Sequence, residues 1–278
     1  MVTTTQIKPA ALLQPFVTCY ALRTFDSGAE GILKPMFAVH ESYMTLFLKG
    51  DSCKLCDIDG VPHSRISHSL VSLFTQSQGG TFYQGAFVIF SVQFKCNGIS
   101  AIFGIPQRVL VNSILSLEGV LGPDAILLAE QLADQPDLNH MGNVMNDYLV
   151  ARLLRQHSNA NTSMISAASG LILKNYGMIS IDVLARYVNM SFRNFERRFT
   201  EEVGMPPKLY ARITRFFTAI EDKAQHPYKS WTDITYQYNY FDQAHFIKEV
   251  KAFSFRTPEA LFQITPPVAE HYVAKVEY

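Results

Sequence analysis

The chain has 278 residues, 48% of them hydrophobic and 17% charged, the balance of a folded globular protein with enough apolar side chain for two cores. Lys and Arg together equal Asp and Glu at 24 each, so charge by itself does not mark the chain as a nucleic-acid binder. No apolar run is long enough to span a bilayer, and the opening MVTTTQIKP has neither a basic nor an apolar leader segment, so a cytoplasmic protein with no membrane partner is expected.

From the start to about Gly104 the pattern is of short strands. His40 to Leu48 (HESYMTLFL) and Thr81 to Phe94 (TFYQGAFVIFSVQF) are rich in β-branched and aromatic residues and partly alternate, with Gly, Asp and Ser between them, which predicts a β-sheet or barrel-like half. After Pro106 the character turns helical, with Val109, Leu110, Ile114 and Leu117, then Ala125 to Leu132 and Met141 to Leu154. The apolar faces of the last two segments suit either a homodimer surface or packing within their own domain. The expectation is therefore an α+β regulatory domain over 1–156. HSNANTS, 157–163, is polar and without periodicity and reads as a linker.

Four cysteines, Cys19, Cys53, Cys56 and Cys96, belong to the expected cytosolic context, where no disulfides are expected. Cys53 and Cys56 form a lone C-x-x-C. A zinc site needs two more ligands, and nothing in the spacing fixes His63 or His68 as partners, so two small side chains near the turn between Gly50 and Gly60 are the preferred reading. No metal and no cofactor is expected.

The stretch from Ser180 to Phe262 contains one helix-turn-helix pattern written twice. A shift of 51 positions lays Phe195 on Phe246, Arg197 on Lys248, Phe199 on Val250 and Pro207 on Pro258, and it pairs Asp182 with Asp233 and Val183 with Ile234. In the first copy Ile181, Leu184, Ala185 and Val188 mark a short helix. Phe192, Phe195, Phe199 and Val203 then form the inward stripe of a second helix, capped by Ser191 and closed by Gly204 with Pro206 and Pro207. Its outward face carries Arg193, Asn194, Arg197 and Glu201, with Glu196 beside them. In the second copy Trp231, Ile234 and Tyr238 hold the short helix and Asp242 caps the next; Phe246, Val250 and Phe253 face inward, and Gln243, Ala244, His245 and Lys248 outward. Between the copies Leu209, Ile213, Phe216, Phe217 and Ile220 predict an amphipathic helix, whose polar side holds Lys208, Arg212, Arg215 and Lys223 as candidate phosphate contacts. The segment 164–265 is thus expected to be an all-α DNA-binding domain with two helix-turn-helix motifs joined by a linker helix, followed by a tail, 266–278. Residues 164–263 carry 13 Lys and Arg against 10 Asp and Glu, an excess too small to identify such a domain without the motif.

These residues resemble the AraC/XylS family of bacterial transcription regulators. GMPPKLYARITRFFTAI, from Gly204 to Ile220, is similar to the family's Gly-x-x-Pro-x-x-Tyr-x-Arg linker helix. YNYFDQAHFIKEVKAFSFRTPEAL, from Tyr238 to Leu261, is similar to its second-motif signature. The departures are Asn239 for the usual glycine, which asparagine can replace in a left-handed conformation, Val250 for an aromatic residue and Phe255 for the second glycine. The amino-terminal half is similar to the uncharacterised domain of one subgroup, on Pro9, Leu13, Val17 and Tyr20, on Phe94 with Gly98, and on the turn from Phe103 to Pro106. The resemblance implies a sequence-specific, non-enzymatic transcription regulator of double-stranded DNA. Its DNA-binding residues would be Arg193, Asn194, Glu196, Arg197, Gln243, Ala244, His245 and Lys248, and its other partners a small-molecule effector, RNA polymerase and a second copy of the chain. The alternative from another class is a DNA-repair protein that joins this double motif to a metal-thiolate methyl acceptor built on Cys53 and Cys56, although the four-cysteine cluster it needs is absent.

Overall fold

The computed structural model describes residues 2–50, 52–71, 73–156 and 164–264, so the expected linker 157–163 and the tail 266–278 lie outside the described residues. Among the described residues the amino-terminal half forms ten strands: β1 (Thr3–Ile7), β2 (Val17–Asp26), β3 (Ile32–Pro35), β4 (Ser42–Lys49), β5 (Cys53–Cys56), β6 (Pro62–Ile66), β7 (Ser69–Val71), β8 (Gly80–Tyr83), β9 (Ala86–Phe94) and β10 (Ile114–Ser116). They pair antiparallel in two sheets, one of six strands in the order β1-β2-β9-β4-β7-β10 and one of four in the order β3-β8-β5-β6. The stretch from Thr81 to Phe94 is therefore two strands in different sheets. Gly85, at φ 92°, sits in the break between them, a conformation that a side chain would strain. Ile114, expected in a helix, lies in β10, where its backbone pairs with Val71. His40 precedes β4 and serves elsewhere.

Both faces of the six-stranded sheet are covered, as its near-continuous apolar strands require. Helices α1 (Gly98–Phe103), α2 (Gln107–Leu110), α3 (Leu117–Leu121), α4 (Asp124–Ala133) and α5 (Leu138–Arg155) follow or flank the strands. Tyr20, Met44, Leu46, Phe90 and Val92 meet Leu128, Leu132, Met145 and Leu149 of α4 and α5 in one buried cluster. The apolar faces of α4 and α5 are thus mostly spent on their own domain; Ile126, Leu127 and Leu154 remain exposed. Gly98 opens α1 where a Cβ would stand 2.1 Å from the Phe16 carbonyl oxygen, so only glycine lets α1 approach β2 so closely. The opposite sheet face looks into a cavity between the two sheets.

The carboxy-terminal part is helical: α6 (Met164–Lys174), α7 (Ile181–Tyr187), α8 (Phe192–Val203), α9 (Pro207–Gln225), α10 (Trp231–Gln237), α11 (Gln243–Ser254) and α12 (Pro258–Ile264). Its core is continuous with the sheet-rich part through the loop after β3. Phe37 meets Phe216 edge-on at 5.7 Å and lies 6.2 Å from Phe217, His40 meets Phe217 at 5.2 Å, and the Ala38 amide donates to the Phe253 carbonyl at 3.0 Å. Cys96 and Ser169 add a buried Sγ to Oγ contact of 2.9 Å.

Candidate nucleic-acid interface

Each recognition helix is positioned by a cap, a buried stripe and the linker helix. Ser191 accepts from the Asn194 amide at 3.4 Å to start α8, and Asp242 accepts from the His245 amide at 2.7 Å to start α11. Phe195, Phe199 and Val203 are wholly buried in α8, as are Phe246 and Val250 in α11. Phe192, expected on this stripe, is instead 45% exposed at the first position of α8, since the stripe has not yet turned inward there.

The two units are not in a single register. Ser180 and Ser230 cap α7 and α10, and the left-handed residues Asn189 and Asn239 follow them, all at an offset of 50, whereas α8 and α11 begin at an offset of 51. Ile234 therefore corresponds to Leu184, both fully buried, and not to Val183, which is 46% exposed; Asp182 and Asp233 are likewise one position out of step. The second turn holds one more residue, and Phe241 in that turn stands 87% exposed just before the Asp242 cap.

On the outward faces Arg193, Asn194 and Arg197 of α8 and Gln243, Ala244 and Lys248 of α11 are exposed, while Glu196 and His245 are half-buried. His245 lies edge-on against Tyr240 at 5.5 Å. The Arg197 guanidinium is already oriented: it donates to both Glu201 carboxylate oxygens, at 2.8 and 2.9 Å, and to Asn194 Oδ1 at 3.0 Å. Both partners are exposed, so exchanging these bonds for a DNA acceptor costs little.

The linker helix does something the sequence did not indicate. Arg212 donates from Nε and Nη2 to the two oxygens of Glu249, at 3.1 and 2.6 Å, and Arg215 stacks over Tyr240 at 4.3 Å with Nη2 4.0 Å from Glu249. Glu249 is only 6% exposed. Its bidentate bonds hold Arg212 in the charged form. Lys223 donates to the carbonyls of Pro227, at 2.7 Å, and Lys229, and it lies over Trp231. Three of the four cations read as candidate phosphate contacts thus fasten the second unit to the linker helix; Lys208 is exposed.

Asn239 adopts φ 57° and Phe255 φ 59°, the left-handed geometry that glycine usually provides. A left-handed non-glycine residue costs about 1–2 kcal/mol, partly offset by the flexibility a glycine adds to the unfolded chain. Phe255 is exposed and closes α11. Phe255→Gly should therefore raise unfolding stability by about 0.5–1 kcal/mol, read by urea denaturation; an unchanged midpoint would mean that the ring makes compensating contacts.

Elsewhere, Cys53 and Cys56 are buried along β5, and His68 Nδ1 is bound by the Phe47 amide at 3.1 Å. Among the described residues no group of three or more His, Cys, Asp or Glu side chains is placed to hold a metal ion. No helix among them is long and apolar enough to cross a membrane.

Two helix-turn-helix units are carried on one linker helix, and each presents an exposed polar face. Residues 184–264 match the family model described as a helix-turn-helix domain. No curated protein matches it in sequence. Among solved structures it is similar to ToxT from Vibrio cholerae O395, at 11% identity over 88% of this chain and 98% of that one, with a TM-score of 0.49. It is also similar to unsaturated fatty acid-bound ToxT from Vibrio cholerae strain SCE256, at 13% identity over 99% and 97% of the chains, TM-score 0.45. A third likeness is to the AraC-like transcriptional activator CuxR, at 17% identity over 78% and 86%, TM-score 0.23.

Proposed function

We propose that the segment 164–265 reads an asymmetric operator with both recognition helices, under the control of a small molecule held by the segment 1–156. The observation that carries this is the pair of exposed polar faces on α8 and α11, fixed to one helix by the Arg212, Arg215 and Glu249 cluster. Arg193 and Arg197 contact phosphate or guanine, Asn194 and Gln243 are suited to adenine, and Lys248 and His245 flank them; Glu196 reaches cytosine or balances the arginines, and Ala244 packs on a thymine methyl. Helices that enter successive major grooves on one face of the duplex read segments about 10 base pairs apart. The protein works as a regulator without catalysis, in the cytoplasm, together with RNA polymerase.

Arg197→Ala and Lys248→Ala should each weaken operator binding by about 1–3 kcal/mol where a base is read, with thermal stability nearly unchanged because both side chains are in solvent. Fluorescence anisotropy with a selected operator measures this, and unaltered affinity in both variants would remove these faces from the DNA. A homodimer through the exposed Ile126, Leu127 and Leu154 of α4 and α5 completes the reading. Sedimentation should give a dimer at tens of micromolar that Leu127→Glu dissociates; a wild-type monomer at that concentration would count against it.

A further inference from the structure

Among the described residues Phe241 is the most exposed large hydrophobic side chain, and it occupies the extra position of the second turn. That position has an ordinary structural use: an apolar side chain just before a helix cap packs on the fourth residue of the helix and fixes how the chain enters it. In α11 the fourth residue is Phe246, and Tyr240 has taken the place. The Tyr240 ring is buried, 5.1 Å from Phe246 and 5.5 Å from His245. Phe241 is therefore spare. The first unit has no residue to match it, since Asn189 stands two positions before the Ser191 cap and Asn239 three before Asp242.

A lone exposed ring carries little by itself; its position decides what it meets. Phe241 is followed by Asp242, Gln243 and Ala244, all exposed, so it stands at the same end of α11 that the proposed operator contact uses. A protein docked over the ring would cover that end and exclude DNA. A phenyl ring has neither donor nor acceptor, so it cannot meet a phosphate or pair with the polar edge of a base. The apolar feature that the major groove displays is the thymine methyl group. Apolar wedges that part base steps enter from the minor groove, whereas the operator reading puts α11 in the major groove.

Resting on the operator reading above, we propose that Phe241 covers the methyl group of one thymine in the major groove, beside the base that Gln243 meets. Gln243 is suited to adenine, and the two side chains lie two positions apart at one end of α11, so together they select a short A·T step. Because the extra residue belongs to the second turn alone, this apolar contact is made in one half of the operator and not in the other. The inserted residue thereby gives the two units different sequence preferences, a difference that the shared capping and buried stripes of α8 and α11 do not supply.

The probe is a duplex selected from a random-sequence pool by the full chain, with each thymine replaced in turn by uracil, which removes the methyl group and keeps the hydrogen-bonding edge. Affinity is read by fluorescence anisotropy. One replacement should weaken wild-type binding about fourfold, the worth of a single covered methyl group. Phe241→Ala should weaken binding to the thymine duplex about tenfold and become indifferent to that replacement, while Phe241→Leu keeps part of the dependence. The ring is in solvent, so both variants should unfold at the wild-type temperature. A loss in Phe241→Ala that is equal on the thymine and uracil duplexes would overturn the methyl contact, and so would an unchanged affinity. A wild-type protein that senses no thymine replacement would overturn it without recourse to a variant. Each of these leaves the operator reading standing; a pool in which no sequence is enriched would overturn both.

Discussion

Arg212→Ala should destabilise the protein by about 2–3 kcal/mol, because it strands a buried carboxylate. Glu249 sits inside the contact between α9 and α11 and takes two donors from Arg212, while Arg215 stays 4.0 Å away. Losing one partner of a buried pair costs about 3–5 kcal/mol where nothing replaces it; the remaining Arg215 and the partial exposure of Arg212 reduce this. The double variant Arg212→Met with Glu249→Leu should recover most of the loss, since an apolar pair of similar volume avoids the desolvation that the ions suffer. Trp231, the one tryptophan of the chain, packs against Phe246 and Phe262 in the second unit, so its fluorescence reports unfolding of the part concerned. A change below about 0.5 kcal/mol for Arg212→Ala, the range of an ordinary surface substitution, would show that the cluster is solvated and does not fasten the second unit.

The helical half was legible because its signals are local. Caps at Ser191 and Asp242, Phe at helical spacing and Pro206 with Pro207 after Gly204 each act within a few residues, and each sits where the pattern places it. Asn239 takes the left-handed turn expected of a glycine substitute. What failed was the single offset of 51: an inserted residue, visible as the exposed Phe241, breaks any one-shift comparison, so Asp182 and Val183 were matched one position out. The roles of Arg212, Arg215 and Lys223 were not legible either. A cation on the polar side of a helix reads the same whether it meets phosphate or a carboxylate 37 residues away, and only the tertiary contact decides.

The sheet-rich half yielded its class and little of its detail. Continuous apolar runs such as Ala86–Phe94 are buried on both faces, so period-two alternation is blurred and one run hid two strands in different sheets. Cavity polarity was written in the sequence as Thr45, Ser69 and Ser91, but these lie far apart along the chain and only pairing of β4 with β7 and β9 brings them into one row.

Phe37→Ala is expected to have the largest effect on stability, about 3–5 kcal/mol, the usual cost of emptying a buried phenylalanine site. Phe37 is 8% exposed, comes from the sheet-rich half and fills the helical half between Phe216 and Phe217. The interface around it is otherwise imperfect. His40 Nδ1 and both side-chain polar atoms of Gln107 are buried without partners, and burial holds the His40 imidazole in its neutral form. Beyond the ring the contact rests on smaller terms: His40 against Phe217 and Tyr210, the apolar side chains of Ala38, Leu73 and Cys96, and the Ala38 to Phe253 hydrogen bond and Cys96 to Ser169 contact, worth about 1 kcal/mol each. The variant should therefore lose cooperativity between its halves, with Trp231 fluorescence and far-ultraviolet circular dichroism following different denaturation curves where the wild-type protein gives one. Coincident curves at a lowered midpoint would mean that the two halves remain one folding unit without Phe37, and that the hold of the sheet-rich half on α9 and α11 lies in the rest of the loop.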